Sequence, residues 1–140
     1  MNILFVCTGN TCRSAMAGAI LSHLAKENNA DICADSCGVA AYPAPASHNA
    51  VLAVDELYGI DLKGHEAKMV SADLVDKADV IFAMTPRHAQ ALLSLFPECA
   101  DKLTVANPEI TDPYMQDLSV YKECAGELYS QIKSRFFKEG

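Results

Sequence analysis

Asn2-Ile3-Leu4-Phe5-Val6-Cys7-Thr8-Gly9-Asn10-Thr11-Cys12-Arg13-Ser14 is the stretch on which the reading of this chain turns. The apolar run over residues 2–6 suits a central parallel strand, buried on both faces. A loop follows, and Ser14 opens a helical pattern in which Met16, Ile20 and Leu24 recur, with Leu21 widening the stripe, to about Asn28. Successive backbone N–H groups in such a loop can point inward, and the next helix adds its positive end. That field suits a cysteine whose thiolate attacks a phosphoryl group. Arg13 brings a planar fork of donors that matches two phosphoryl oxygens. Ser14 can donate its hydroxyl to the sulfur. Gly9 and Asn10 are read as the residues that let the loop turn, glycine through its missing Cβ and asparagine through its tolerance of the left-handed region. A cysteine and an arginine with five residues between them are a weak signal alone. The strand before them and the helix after them make it specific. No Gly-Lys-Ser/Thr follows the glycine, so a nucleotide-type phosphate loop is excluded.

Composition narrows the setting. The chain has 140 residues, 51% of them apolar, enough for one domain with a sizeable core, and residues 1–140 are read as that single domain. A formal charge of −7 argues against general nucleic-acid or anionic-membrane binding. An acidic protein that binds phosphate needs a local electropositive pocket, and the cradle of Arg13 and loop amides would be one. No secretory signal pattern precedes the first strand and no apolar run reaches transmembrane length, so a cytoplasmic protein is expected. There the 6 cysteines read as thiols. Cys7 with Cys12 and Cys33 with Cys37 could suggest zinc, but the spacings are irregular and Cys7 has a better role; no metal and no cofactor is expected.

Further along, Asp31 to Ser36 reads as a second strand, with Cys33 and Cys37 as small packing residues. Residues 37–48 form a loop marked by Gly38, Pro43 and Pro45; its Tyr42 is either part of a pocket wall or an ordinary loop aromatic. Ser47 is placed as the cap of a helix carrying Val51, Leu52 and Leu57 and ending before Gly59. Ser71 caps a short helix over residues 72–77. Asp79 to Met84 is a buried strand. Thr85-Pro86 starts a helix to about Phe96, with His88 expected to be solvated in its first turn. Leu103 to Val105 is a final strand. A loop over 106–117 leads to a helix reaching about Phe137, striped by Leu118, Tyr121, Cys124, Leu128, Ile132 and Phe136. Strands alternating with helices imply an α/β domain, a parallel sheet with helices on both faces.

Val6 to Ser14 resembles the signature loop of the low-molecular-weight protein-tyrosine phosphatases, and Asp112-Pro113-Tyr114 resembles their second motif. Length and motif order fit as well, so the resemblance covers nearly the whole chain. It implies a three-layer domain with four parallel strands in the order 2-1-3-4, which puts the loop after the first strand beside a topological switch point. It implies hydrolysis of phosphorylated protein side chains, phosphotyrosine or phosphoarginine, with inorganic phosphate as product. Cys7 would attack phosphorus and form a phosphocysteine, held by Arg13 and the amides of Thr8, Gly9, Asn10, Thr11, Cys12 and Arg13. Asp112 would protonate the leaving group and then serve as base for the hydrolytic water. Supporting roles fall to Ser14 and, by the resemblance, to Asn10, Ser36 and His65. The last lies in Gly64-His65-Glu66-Ala67-Lys68, which resembles the family's Gly-His-x-Ala-Arg segment with lysine for arginine. Tyr114 would line the entrance with Tyr42. The family pairs the cysteines matching Cys7 and Cys12, so Cys12 would trap an oxidised Cys7 as a disulfide.

On substrate, the residues divide. Thr11 and Met84-Thr85 resemble the arginine-directed members. Ala15 replaces a proline usual after Arg-Ser, and Tyr114 keeps an aromatic suited to phosphotyrosine. Three other functions share the loop. An arsenate reductase would need two resolving cysteines in one segment after the third strand, where Cys99 stands alone. A phosphocysteine carrier should shield its intermediate from water, against which Arg13 and Asp112 argue. A non-catalytic phosphate-binding module would have no need of a nucleophile at position 7.

Overall fold

A computed structural model describes residues 1–137; residues 138–140, included in the single-domain expectation, lie outside the described part. The elements run β1 (Asn2–Cys7), α1 (Arg13–Glu27), β2 (Cys33–Gly38), α2 (His48–Tyr58), α3 (Ala72–Lys77), β3 (Val80–Ala83), α4 (Pro86–Leu95), a 3-10 helix (Pro97–Lys102), β4 (Leu103–Val105) and α5 (Leu118–Phe136). The four strands pair in parallel in the order β2-β1-β3-β4. This is the α/β fold the sequence implied.

Side-chain alternation along β1 builds the layers. Ile3 and Phe5 join Met16, Ile20 and Leu24 of α1, and Leu128 and Ile132 of α5, in one apolar layer. Leu4 and Val6 point the other way, to Val75, Leu92 and Cys99 under α3 and α4. Phe82 in β3 packs its ring 5.4 Å from that of Phe5, and the Arg135 guanidinium lies 4.9 Å from the Phe82 centroid. A central strand buried on both faces holds its C-terminal residue in place, and that residue is Cys7.

Several local expectations change. β2 starts at Cys33 rather than Asp31 and extends through Cys37 and Gly38, past the Ser36 end that the sequence suggests. Cys33 is exposed rather than packed, whereas Cys37 is buried. The face that α2 buries is Ala50, Ala53 and Val54, and Leu57 faces outward. Ser71 and Thr85 cap α3 and α4 through their hydroxyls, accepting from Leu74 N–H and His88 N–H. Ser47 holds the N-cap position of α2 but makes no capping bond. Its hydroxyl goes instead to Cys12 Sγ, 3.0 Å away.

Candidate active site

The loop between β1 and α1 is held from behind. Cys7 O accepts from Val39 N–H at 3.0 Å, Thr8 O from Ala40 N–H at 3.0 Å, and Thr11 O from Ser47 N–H at 2.9 Å. Asn10 O accepts from His65 Nε2–H at 2.7 Å, which fixes the tautomer of that ring, since a carbonyl can only accept. In a trans peptide the next N–H points opposite to the carbonyl. The N–H groups of Thr8, Gly9, Thr11 and Cys12 are therefore turned away from these four partners, as an anion cradle requires.

Gly38 is what lets the chain pass so close behind. A Cβ there would stand 2.2 Å from Thr8 O and 2.9 Å from the Ala41 methyl carbon. The sequence reading missed this role and saw Gly38 only as a loop marker. Gly9 has no comparable demand: φ is not positive, and a Cβ would meet only Thr11 Oγ1 at 3.8 Å. The left-handed residue is Asn10, at φ 59°.

Fully buried Asn10 is the knot of the loop. Its Nδ2 donates to Ser14 Oγ at 2.8 Å and Ser36 Oγ at 3.0 Å, and its Oδ1 accepts from Lys68 N–H at 3.0 Å. Ser14 Oγ in turn lies 2.8 Å from Cys7 Sγ and 3.3 Å from Cys37 O. With Asn10 donating to it, the Ser14 hydroxyl turns its single proton either to Cys37 O or to the closer sulfur. A thiolate at position 7 would be the better acceptor.

Arg13 is 6% exposed, so its charge is committed to this site rather than to solvent. Nη1 donates to Ile110 O at 3.0 Å, and Nη2 stands 3.6 Å from Asp112 Oδ2. Asp112 Oδ1 accepts from Tyr114 N–H at 3.0 Å. The guanidinium thus ties the loop carrying Asp112 to the cradle. Cys7, Thr8, Gly9, Asn10, Thr11, Cys12, Arg13, Tyr42, Asp112 and Tyr114 all line one cleft of about 330 Å³ with Ala40 and Ala44. Of the residues named from the sequence, Ser14, Ser36 and His65 sit behind its wall, linked through Asn10. Tyr42 and Tyr114 are 82% and 61% exposed, placing them at the rim, where a substrate would cover them.

Cys12 faces away from solvent, near Ser47 Oγ and 3.5 Å from Tyr121 OH. Burial, then contact with Cys12, pushes the Tyr121 phenol up to about 12. Burial likewise pushes the Cys37 and Cys124 thiols to about 12, which keeps both as inert packing groups at neutral pH. Cys99, the cysteine weighed for arsenate reduction, is fully buried in the opposite apolar layer, and burial raises its thiol too.

His88 corrects the sequence reading most sharply. Expected in solvent, it is 3% exposed. Its Nε2 lies 2.8 Å from Thr8 Oγ1 and its Nδ1 3.1 Å from Thr85 Oγ1. Burial, then the Arg13 charge, lowers the imidazole from 6.5 to about 4. Nothing local in the sequence marks this contact, which joins positions 80 apart. Among the described residues no group of three or more His, Cys, Asp or Glu side chains converges as metal ligands would.

Comparison with known proteins agrees with this geometry. Residues 2–139 match the family model for low molecular weight phosphotyrosine protein phosphatases, and the chain belongs to that family. It is 35% identical to a protein-arginine-phosphatase of Bacillus subtilis strain 168, over 95% of this chain and 93% of that one. The crystal structure of a low molecular weight protein tyrosine phosphatase from T. tengcongensis superposes with a TM-score of 0.92 at 41% identity, covering 95% of each chain. A YwlE arginine phosphatase mutant, solved with its active-site serine phosphorylated, superposes at 0.91 with 33% identity, covering 95% of this chain and 91% of that one.

Proposed function

We propose that this protein hydrolyses phosphorylated protein side chains, phosphotyrosine or phosphoarginine, through a phosphocysteine on Cys7, with residues 1–140 acting as one catalytic domain. The observation that carries the reading is the position of Cys7 Sγ. It ends a buried strand, lies 2.8 Å from the Ser14 hydroxyl and shares one cleft with Arg13 and Asp112. The thiolate attacks phosphorus while Arg13 and the inward amides hold the equatorial oxygens, where charge is redistributed in the transition state. As a phosphoryl group fills the cradle, it competes with Asp112 for Arg13. Asp112, released from the ion pair, takes up a proton from solvent and gives it to the leaving oxygen or nitrogen. In the second step Asp112 takes a proton from water, which attacks the thiophosphate and frees Cys7 and inorganic phosphate.

The arsenate-reductase alternative needs resolving thiols that reach the site, and the burial of Cys99 and Cys37 speaks against it. The open cleft and the nearby Asp112 speak against a protected phosphocysteine carrier. On substrate, Thr11 in the cleft favours a polar phosphoguanidinium, whose N–H groups its hydroxyl can accept, and the similarity to arginine phosphatases supports the same side. Tyr42 and Tyr114 at the rim favour an aromatic ring. No described helix is long and apolar enough to cross a membrane. A cytoplasmic location suits a nucleophile that must stay a reduced thiol to act, and the formal charge of −7 disfavours nucleic acid or an anionic membrane as partner.

Turnover measured side by side on phosphotyrosine and phosphoarginine peptides tests the reading. Phosphate release from either, lost in Cys7→Ser, is expected. No release from both would overturn it.

A further inference from the structure

Thr85 Oγ1 accepts the His88 backbone N–H at 3.3 Å, and its other hydrogen-bond neighbour is Nδ1 of the same residue at 3.1 Å. The Thr85 hydroxyl proton therefore has one acceptor at hand, the bare Nδ1. A proton on Nδ1 would leave the hydroxyl of half-buried Thr85 with no protein acceptor among the described residues, so the bare Nδ1 is the better-matched partner. The other nitrogen then carries the proton, and Nε2–H donates to Thr8 Oγ1 at 2.8 Å. Thr8 follows Cys7 directly and lines the cleft. With its oxygen already accepting from His88, the exposed Thr8 hydroxyl is left with a proton that no protein acceptor among the described residues takes, free for solvent or a ligand in the cleft.

Resting on the phosphatase reading above, we propose that His88 is a positioning residue for the reaction. Anchored by Thr85, it donates Nε2–H to Thr8 and so commits the Thr8 hydroxyl to donate into the cradle, to a phosphoryl oxygen. The chain of donors runs one way: Thr85 O–H to Nδ1, Nε2–H to Thr8, Thr8 O–H to substrate. The ring must be neutral for this, because an imidazolium would offer Thr85 a second donor and break the sequence. Burial and the facing Arg13 guanidinium keep it neutral at pH 7, with Arg87 on its own helix adding to the effect and Asp112 across the cleft opposing it. The Arg13 charge that helps hold phosphate thus also helps keep the relay in its working form.

Two measurements test this. Nitrogen-15 NMR of the imidazole at pH 7 should show a neutral ring protonated at Nε2; the Nδ1–H tautomer or an imidazolium would overturn the proposal. Steady-state kinetics with p-nitrophenyl phosphate then compare Thr8→Val, His88→Asn, the double variant and His88→Gln. An asparagine amide reaches the Nδ1 position and a glutamine amide the Nε2 position, so only glutamine can still donate to Thr8. Thr8→Val and His88→Asn should each lower kcat/KM about tenfold, the value of a hydrogen bond to a charged group. The double variant should lose no more than the worse single, and His88→Gln should recover most of the activity. Losses that multiply, or equal losses in the asparagine and glutamine variants, would show His88 acting on folding rather than through Thr8. Tautomer is read without turnover. Failure of the phosphatase reading would appear as an inactive parent protein, and failure of this one as the wrong tautomer or as multiplying losses in an active parent.

Discussion

The two loops that meet at Arg13 are built on opposite principles. The loop from Cys7 to Arg13 is locked on its far side by Val39, Ala40, Ser47, His65 and Lys68 and knotted by a fully buried Asn10. The loop over 106–117 carries Asp112, Tyr114 and Met115 into solvent, Met115 being 82% exposed at φ 63°. One is a preformed anion site whose shape does not depend on what bears the phosphate. The other is largely open over residues 111–116, pinned at buried Ile110 by Met84 O and the Arg13 contacts and shaped by a turn within itself. Affinity for phosphate belongs to the rigid half and proton transfer to the open half, while the choice of substrate draws on both, through Thr11 in the first and Tyr114 in the second. Electrostatic preorganisation needs the first, and adaptation to a protein substrate needs the second.

Substitutions should separate the halves. Asp112→Ala should lower kcat by about 10²–10⁴-fold for substrates with poor leaving groups and much less for activated esters, measured across a series of aryl phosphates. Equal losses along the series would make the open loop structural and dissolve the contrast. Asn10→Ala should destabilise the fold by about 2–3 kcal/mol in urea and weaken vanadate binding, because buried Ser14, Ser36 and Lys68 N–H lose their partner. Tyr114→Ala at the rim should stay within about 0.5 kcal/mol of the parent while raising KM for peptides.

Acid should act on the rigid half first. The unfolded chain takes up a proton at His88 near pH 6.5, whereas the folded ring resists protonation until about pH 4. The stabilisation is therefore complete above pH 6.5 and is lost as pH falls toward 4, by about 1–3 kcal/mol. Melting midpoints at pH 7 and 4.5 should differ more in the parent than in His88→Gln. Thr11→Ile should shift the ratio of kcat/KM toward phosphotyrosine over phosphoarginine by a few-fold, about 10-fold at most. An unchanged ratio in a folded variant would remove Thr11 as selector.

How much of this could be read from the sequence follows the same divide. The strand, the cysteine after it and the helix, read as opening at Ser14, one residue after its actual start, are legible, because apolar runs, Ser/Thr and Pro caps and chemistry-bearing side chains are local signals. The strand order came through resemblance, since no local pattern says which strands pair. What stayed hidden was contact at long range. His88 looked like any first-turn histidine until β1 and β3, adjacent in the sheet, brought its ring to Thr8. Ser47 stands where a cap should, yet its hydroxyl serves Cys12, a competition between partners 35 positions apart. Gly38 advertised flexibility, while its function is absence of a Cβ behind Thr8. Of the two residues the sequence offers for the turn, Gly9 and Asn10, only Asn10 takes the left-handed conformation.

The central claim is that Cys7 carries the phosphate between two half-reactions. Rapid acid quench of the enzyme during turnover of p-nitrophenyl phosphate, followed by peptide mass mapping, tests it directly. The account predicts one added phosphate on the peptide containing Cys7, accumulating further in Asp112→Ala, where water attack has lost its base. Phosphate on another residue, or a fully active enzyme that never labels Cys7, would contradict it.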